Sequence, residues 1–139
     1  MSDSDLSDTT EALLRAAASV RLNAHAPYSR FKVGAALSAD DGRVYVGANV
    51  ENASYPEGLC AEAAAIAAMV AGGGKRIAAL ALVTEGADPA PPCGGCRQRI
   101  AEFAGPATPI HLATTAGARR SVTLGELLPL AFALPPRDP

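Results

Sequence analysis

The order of patterned segments predicts an α/β domain, a three-layer α/β/α sandwich on a mixed, mostly five-stranded sheet. Three observations carry that reading. Two strand-like runs, Phe31 to Ala39 and Arg43 to Ala48, are joined by Asp40-Asp41-Gly42, and Gly supplies the positive φ of a tight hairpin turn. Ile77 to Val83 is an unbroken apolar run of strand length, as expected of a strand covered on both faces. Helix-like segments alternate with these runs, giving the order α-β-β-α-β-α-β-(β)-α and helices for both faces of the sheet.

Each element has a local cause. From Thr10 to about His25 the apolar residues Leu13, Leu14, Ala17, Val20 and Leu22 recur at roughly helical spacing. Pro27 ends that helix by disfavouring helical geometry at Ala26. After the hairpin, Asn49 to Leu59 is rich in turn residues and leads into a helix over about Cys60 to Val70, stopped by Gly72-Gly73-Gly74. Glu85 to Pro92 reads as a loop, Cys93 to Phe103 as a third helix, and Pro109 to Thr114 as a short strand. Leu124 to Leu128 starts a last helix that Pro129 limits.

The chain has 139 residues, a formal charge of −2 and 49% apolar residues, which suits one domain with a real core. We expect that domain over residues 9–133, with a disordered lead over 1–8 and a flexible tail over 134–139. Ala accounts for 31 residues and aromatics for only 4%, so each side chain buries little area and self-assembly would add what a lone subunit lacks. A pI near 5.6 with no dense basic footprint argues against a nucleic-acid partner. The longest nearly apolar run, Leu59 to Ala71, contains Glu62 and is too short to cross a membrane. The acidic start, Met1-Ser2-Asp3-Ser4-Asp5, is unlike a basic targeting signal, and we expect a cytoplasmic protein. Three cysteines make no disulfide framework, and a reducing compartment keeps them as thiols.

All three thiols fall at expected helix starts: Cys60 in Cys60-Ala61-Glu62, and Cys93 with Cys96 in Pro92-Cys93-Gly94-Gly95-Cys96. A Cys-x-x-Cys at a helix N-terminus turns both sulfurs to one point, and a second helix start beside it brings the third. Three thiolates suit zinc with one position left open for water, the pattern of a catalytic site. His25 and His111 stand far from these motifs. Glu62, on the first turn of the Cys60 helix, is placed to move protons for a water at such a metal.

Cys-x-Glu followed by Pro-Cys-x-x-Cys and Arg97-Gln98 resembles the zinc-dependent cytidine deaminases of the small, three-cysteine type, whose chemistry is a general principle of nucleobase deamination. The likeness extends to Pro27-Tyr28-Ser29-Arg30-Phe31-Lys32-Val33-Gly34-Ala35-Ala36, Asn49-Val50-Glu51-Asn52-Ala53-Ser54-Tyr55 and Leu127-Leu128-Pro129-Leu130-Ala131-Phe132, covering roughly residues 25–133. The resemblance implies a cytidine deaminase-like fold. It also implies conversion of cytidine and 2′-deoxycytidine to uridine and 2′-deoxyuridine plus ammonia, in pyrimidine salvage. Cys60, Cys93 and Cys96 would hold one Zn²⁺ per subunit with hydroxide as fourth ligand, and Glu62 would shuttle protons as C4 is attacked. Asn49 and Glu51 would bind the ribose hydroxyls. The Ala61 N–H would hold the base O2, the Pro91 carbonyl would accept from the exocyclic amine, and Phe31 would line the pyrimidine pocket. Phe132 would reach the base from a neighbouring subunit, since such enzymes are typically homotetramers with shared sites.

One departure stands out. Relatives commonly carry Arg directly after Cys-Ala-Glu, where this chain has Ala63, so charge compensation at the thiolates is expected to fall to Arg97, Gln98 and the helix N-termini. Competing readings are a deaminase of a blasticidin S-type nucleoside antibiotic, which would not need Asn49-x-Glu51, and a non-catalytic structural zinc module closed by His25 or His111.

Overall fold

The computed structural model describes residues 3–137. The elements are α1 (Asp3–Arg21), β1 (Gly34–Ala39), β2 (Val44–Ala48), a 3₁₀ turn (Tyr55–Glu57), α2 (Ala61–Ala71), β3 (Ile77–Thr84), α3 (Gly94–Phe103), β4 (Pro109–Thr114), β5 (Arg119–Thr123) and α4 (Leu124–Leu127). The five strands form one sheet in the order β2-β1-β3-β4-β5. β3 and β4 are parallel, joined through α3, and the other neighbouring pairs are antiparallel. The mixed α/β architecture is therefore the one the segment order implies.

Alternation along the strands divides the core in two. Ala35, Leu37, Leu80, Leu82, Ile110 and Leu112 face α2 and α3, where they pack with Ala65, Ile66, Met69 and Ile100. Ala36, Ala81, Val83 and Ala113 face the other way and meet Leu13, Leu14 and Ala17 of α1. A period of two thus supplies both halves from the same strands. The register seats small residues opposite one another under α1, with Ala36 paired to Ala81. Close approach is needed on both sides of the sheet. A Cβ at Gly34 would lie 1.9 Å from the Ala17 carbonyl oxygen of α1, and one at Gly47 would lie 2.4 Å from the Ala65 nitrogen of α2.

Several boundaries differ from expectation. The backbone is already helical at Asp3, inside the lead expected to be disordered, of which residues 1 and 2 lie outside the described residues. The same helix stops at Arg21, because His25 is drawn away to exchange backbone hydrogen bonds with Asn49 and Glu51. The first strand begins at Gly34 and not Phe31: the Asn49 carboxamide accepts from the Val33 N–H at 2.9 Å and donates to the Phe31 carbonyl at 2.8 Å. A side chain there takes the place of a neighbouring strand. Residues 138 and 139 of the expected tail lie outside the described residues.

Buried Arg21 fixes the loop that follows α1. Its Nε donates to the Lys32 carbonyl at 3.0 Å while the guanidinium pairs with Glu85 at the end of β3. The segment carrying Phe31 is therefore held from two sides.

Candidate active site and metal centre

The site lies where α2 and α3 begin. Cys60 is the N-cap residue of α2 and Cys93 the N-cap of α3, both with extended backbone, and Cys96 sits in the first turn of α3. α2 is seated on β1 and β2, α3 follows β3, and the two helices pack against each other. Their starts therefore converge at one end of the sheet. The three sulfurs all lie within 4.8 Å of one another, and among the described residues they are the group able to hold a metal. A tetrahedral zinc with Zn–S near 2.3 Å needs sulfurs about 3.8 Å apart, a separation that falls within this limit. Soft thiolates at two positive helix ends suit zinc.

The thiols divide by exposure. Burial pushes the Cys96 and Cys60 thiols above their ordinary range. Cys93, the exposed one, is held below its ordinary range, chiefly by the Cys96 backbone N–H. Desolvation thus dominates at the two inner sulfurs, and binding a metal there must displace protons. Glu62, in the first turn of α2, is only 4% exposed. Burial is the main cause that raises its carboxyl above the ordinary carboxylate range, which suits a group that takes up and returns protons.

A second cluster meets this centre through the backbone. Val50 pairs antiparallel with Leu59, the residue before Cys60, and His25 bridges to Val50 on the other side. Asn49 and Glu51 are thereby carried alongside the first metal ligand. Glu51 accepts from the Tyr28 N–H at 3.0 Å and the Ser29 N–H at 3.1 Å, with the Ser29 hydroxyl on its other oxygen. These bonds, led by the Ser29 hydroxyl, hold its carboxyl below the ordinary range. Phe31 is part of the same loop, its N–H donating to Ser29 Oγ at 3.0 Å, and the residue is 42% exposed. A cavity of about 410 Å³ opens here, lined by Tyr28, Ser29, Glu51, Asn52, Tyr55 and Gly58. Ala61 is fully buried at the start of α2, and Pro91 is exposed ahead of Cys93.

The charge partners fall differently from the expectation. Arg97 does not turn to the sulfurs. Its Nε donates to the Pro92 carbonyl at 2.8 Å and its Nη1 to the Leu127 carbonyl at 2.9 Å, so it ties α3 to α4. The reason is angular, since a residue one place after Cys96 points about 100° away around the helix. Gln98 donates to the Phe132 carbonyl at 3.0 Å, and Phe132 itself is 68% exposed. Among the described residues, the cation that reaches sulfur is Arg99, with Nη1 3.5 Å from Cys96 Sγ. Sequence reasoning passed over Arg99, though its i+3 spacing from Cys96 places both on one helix face. Ser29 was missed as well, its only signal being a small hydroxyl in a loop beside Glu51. His111 pairs with Ser121 and Thr10, and His25 is a backbone bridge; neither belongs to the cysteine group.

Residues 7–112 match the family model described as the cytidine and deoxycytidylate deaminase zinc-binding region. The chain belongs to this deaminase family. It is 43% identical to a cytidine deaminase of Sporosarcina psychrophila, over 88% of this chain and 90% of that protein. A Mycobacterium tuberculosis cytidine deaminase is 48% identical over 80% of each chain. The crystal structure of a cytidine deaminase from Burkholderia pseudomallei matches with a TM-score of 0.84 at 46% identity, covering 88% of this chain and 98% of that one. The zinc-dependent deaminase fold and the three-cysteine centre thus agree. Among the described residues, no helix is long and apolar enough to cross a membrane.

Proposed function

We propose that the chain hydrolyses the exocyclic amine of cytidine and 2′-deoxycytidine, releasing ammonia and leaving uridine or 2′-deoxyuridine, a reaction of pyrimidine salvage. The observation that carries this reading is the convergence of three cysteine sulfurs at two helix starts with buried Glu62 in the first turn of one of them. Three protein ligands, not four, leave a place for chemistry. Zinc held by Cys60, Cys93 and Cys96 supplies a Lewis acid that makes water nucleophilic near neutral pH.

The remaining work belongs to side chains and backbone. Glu62 accepts one proton from the attacking water and gives it to N3 of the pyrimidine, then accepts the second from the hydroxyl now on C4 and gives it to the amine, which leaves as ammonia. The Ala61 N–H and the Pro91 carbonyl orient the base through O2 and the exocyclic amine. Phe31 covers the base from the loop that Arg21 restrains.

Donor and acceptor counting supports a sugar site at Asn49 and Glu51. The Asn49 carboxamide has one N–H committed to Phe31 and one acceptor bond from Val33, leaving an N–H and a lone pair. Glu51 receives three bonds, and a carboxylate has about four such positions. Both groups are held rigid and each retains capacity for a hydroxyl. This arrangement favours a nucleoside over an antibiotic that lacks the need for it.

We also read the working enzyme as a cytoplasmic homotetramer with shared sites. Phe132, Leu130 and Leu134 lie open on the C-terminal segment, and Val44 and Val46 on the edge strand β2, apolar surface suited to further copies of the chain. Thiol ligands that must stay reduced suit the cytoplasm.

The test is loss of cytidine ultraviolet absorbance with zinc-loaded protein, run beside Glu62→Gln. Turnover that falls by about 10²–10⁴-fold in the variant at unchanged zinc content supports the reading. Wild-type protein holding one zinc per chain but inert on both nucleosides would remove it.

A further inference from the structure

We propose that Arg99 is the charge-balancing and positioning residue of the thiolate centre, holding Cys96 and offsetting the negative charge that the centre acquires with zinc. This inference rests on the zinc reading above. Zinc with three thiolates carries a net −1, and a hydroxide in the open position makes it −2. A site beside partly buried sulfurs cannot hold that charge without nearby donors.

Helix starts contribute partial charge, but a full cation must come from a side chain. Ala63 supplies none. Arg97 is turned away, with its Nε and Nη1 committed to the carbonyls of Pro92 and Leu127. Among the described residues, Arg99 is the cation hydrogen-bonded to a cysteine sulfur, at 3.5 Å from Cys96 Sγ. The geometry of α3 favours this contact. A side chain three residues beyond Cys96 leans back toward the helix N-terminus and covers the preceding turn. Its guanidinium passes over Gly95, where an added Cβ would lie 3.5 Å from Nη1.

Arg99 touches neither the base nor the sugar in this account; it acts through Cys96. Its side chain is exposed, so substitution leaves the core intact. A positive charge there favours the metal-loaded thiolates over the proton-bearing metal-free thiols. Removing it weakens zinc retention, and the electron density on sulfur changes.

The test compares wild type, Arg99→Gln and Arg99→Lys. Zinc affinity is read by competition with a colorimetric chelator, and cobalt-substituted protein reports the sulfur-to-metal charge-transfer band. Arg99→Gln should lose about 10–100-fold in zinc affinity with a shifted cobalt band. Arg99→Lys, which keeps the charge, should recover most of that affinity. Wild-type affinity and an unshifted band in Arg99→Gln would overturn the proposal, and so would a lysine variant as weak as the glutamine one. A wild type that binds no zinc would instead sink the metal reading itself.

Discussion

Val50 and Leu59 face one another through two backbone hydrogen bonds, 2.9 Å from the Val50 N–H and 2.8 Å from the Leu59 N–H. This single pair joins the two halves of the site. On one side it carries Asn49 and Glu51, and on the other it delivers Cys60 to the start of α2. The proposed sugar site and the cysteine group are therefore positioned by the same short bridge.

Asn49 has a structural duty beside any substrate contact. Asn49→Ala strips the partners from the Val33 N–H and the Phe31 carbonyl. We expect stability to fall by about 1–3 kcal/mol in urea titrations. The KM for cytidine should rise as well, since the loop bearing Phe31 loosens. Stability and KM both at wild-type values would show that the carboxamide is dispensable.

Glu51 makes acid stability depend on its loop. Its folded carboxyl lies below the ordinary value of 4.5, mainly through the Ser29 hydroxyl. A lowered folded pKa gives stability that is present above the unfolded value and is lost as pH falls through the folded one. The Tm advantage of wild type over Glu51→Gln should therefore be full near neutrality and shrink below about pH 4.5. A difference in Tm that stays constant through the acid range would contradict this.

Arg97 and Arg99 should separate cleanly. Arg97→Gln removes two bonds from a charged donor to the Pro92 and Leu127 carbonyls, a loss of about 1.5–3 kcal/mol in unfolding free energy. The zinc affinity of the same variant should change far less than that of Arg99→Gln. Metal titration beside chemical denaturation of both proteins decides the matter. Equal zinc loss in the two variants would return Arg97 to the metal centre.

The parts of this protein that could be read from its sequence are those with local causes. Cys93 and Cys96 announce a helix start because their spacing turns both sulfurs to one side, and Cys60 with Glu62 does the same. The hairpin is legible in Gly42, which has the positive φ of 80° that its turn requires. What escaped notice depends on distant partners. The strand beginning at Gly34, and not at Phe31, follows from a carboxamide at position 49. The exact span of β5 is visible only through its pairing with β4. The contrast between Arg97 and Arg99 is an intermediate case: proximity in sequence favoured Arg97 as the sulfur's neighbour, while the contact to Cys96 is made by the arginine two places on.

Cys60 opens α2 and Cys93 opens α3, so a metal gripped by both ties together chain segments separated by all of α2 and β3. Such a tie limits the freedom of the unfolded chain as well as serving the reaction. Free energy of zinc binding becomes free energy of folding. Zinc held there would fasten the fold as well as supply the reaction, so its removal would be felt in unfolding as well as in turnover.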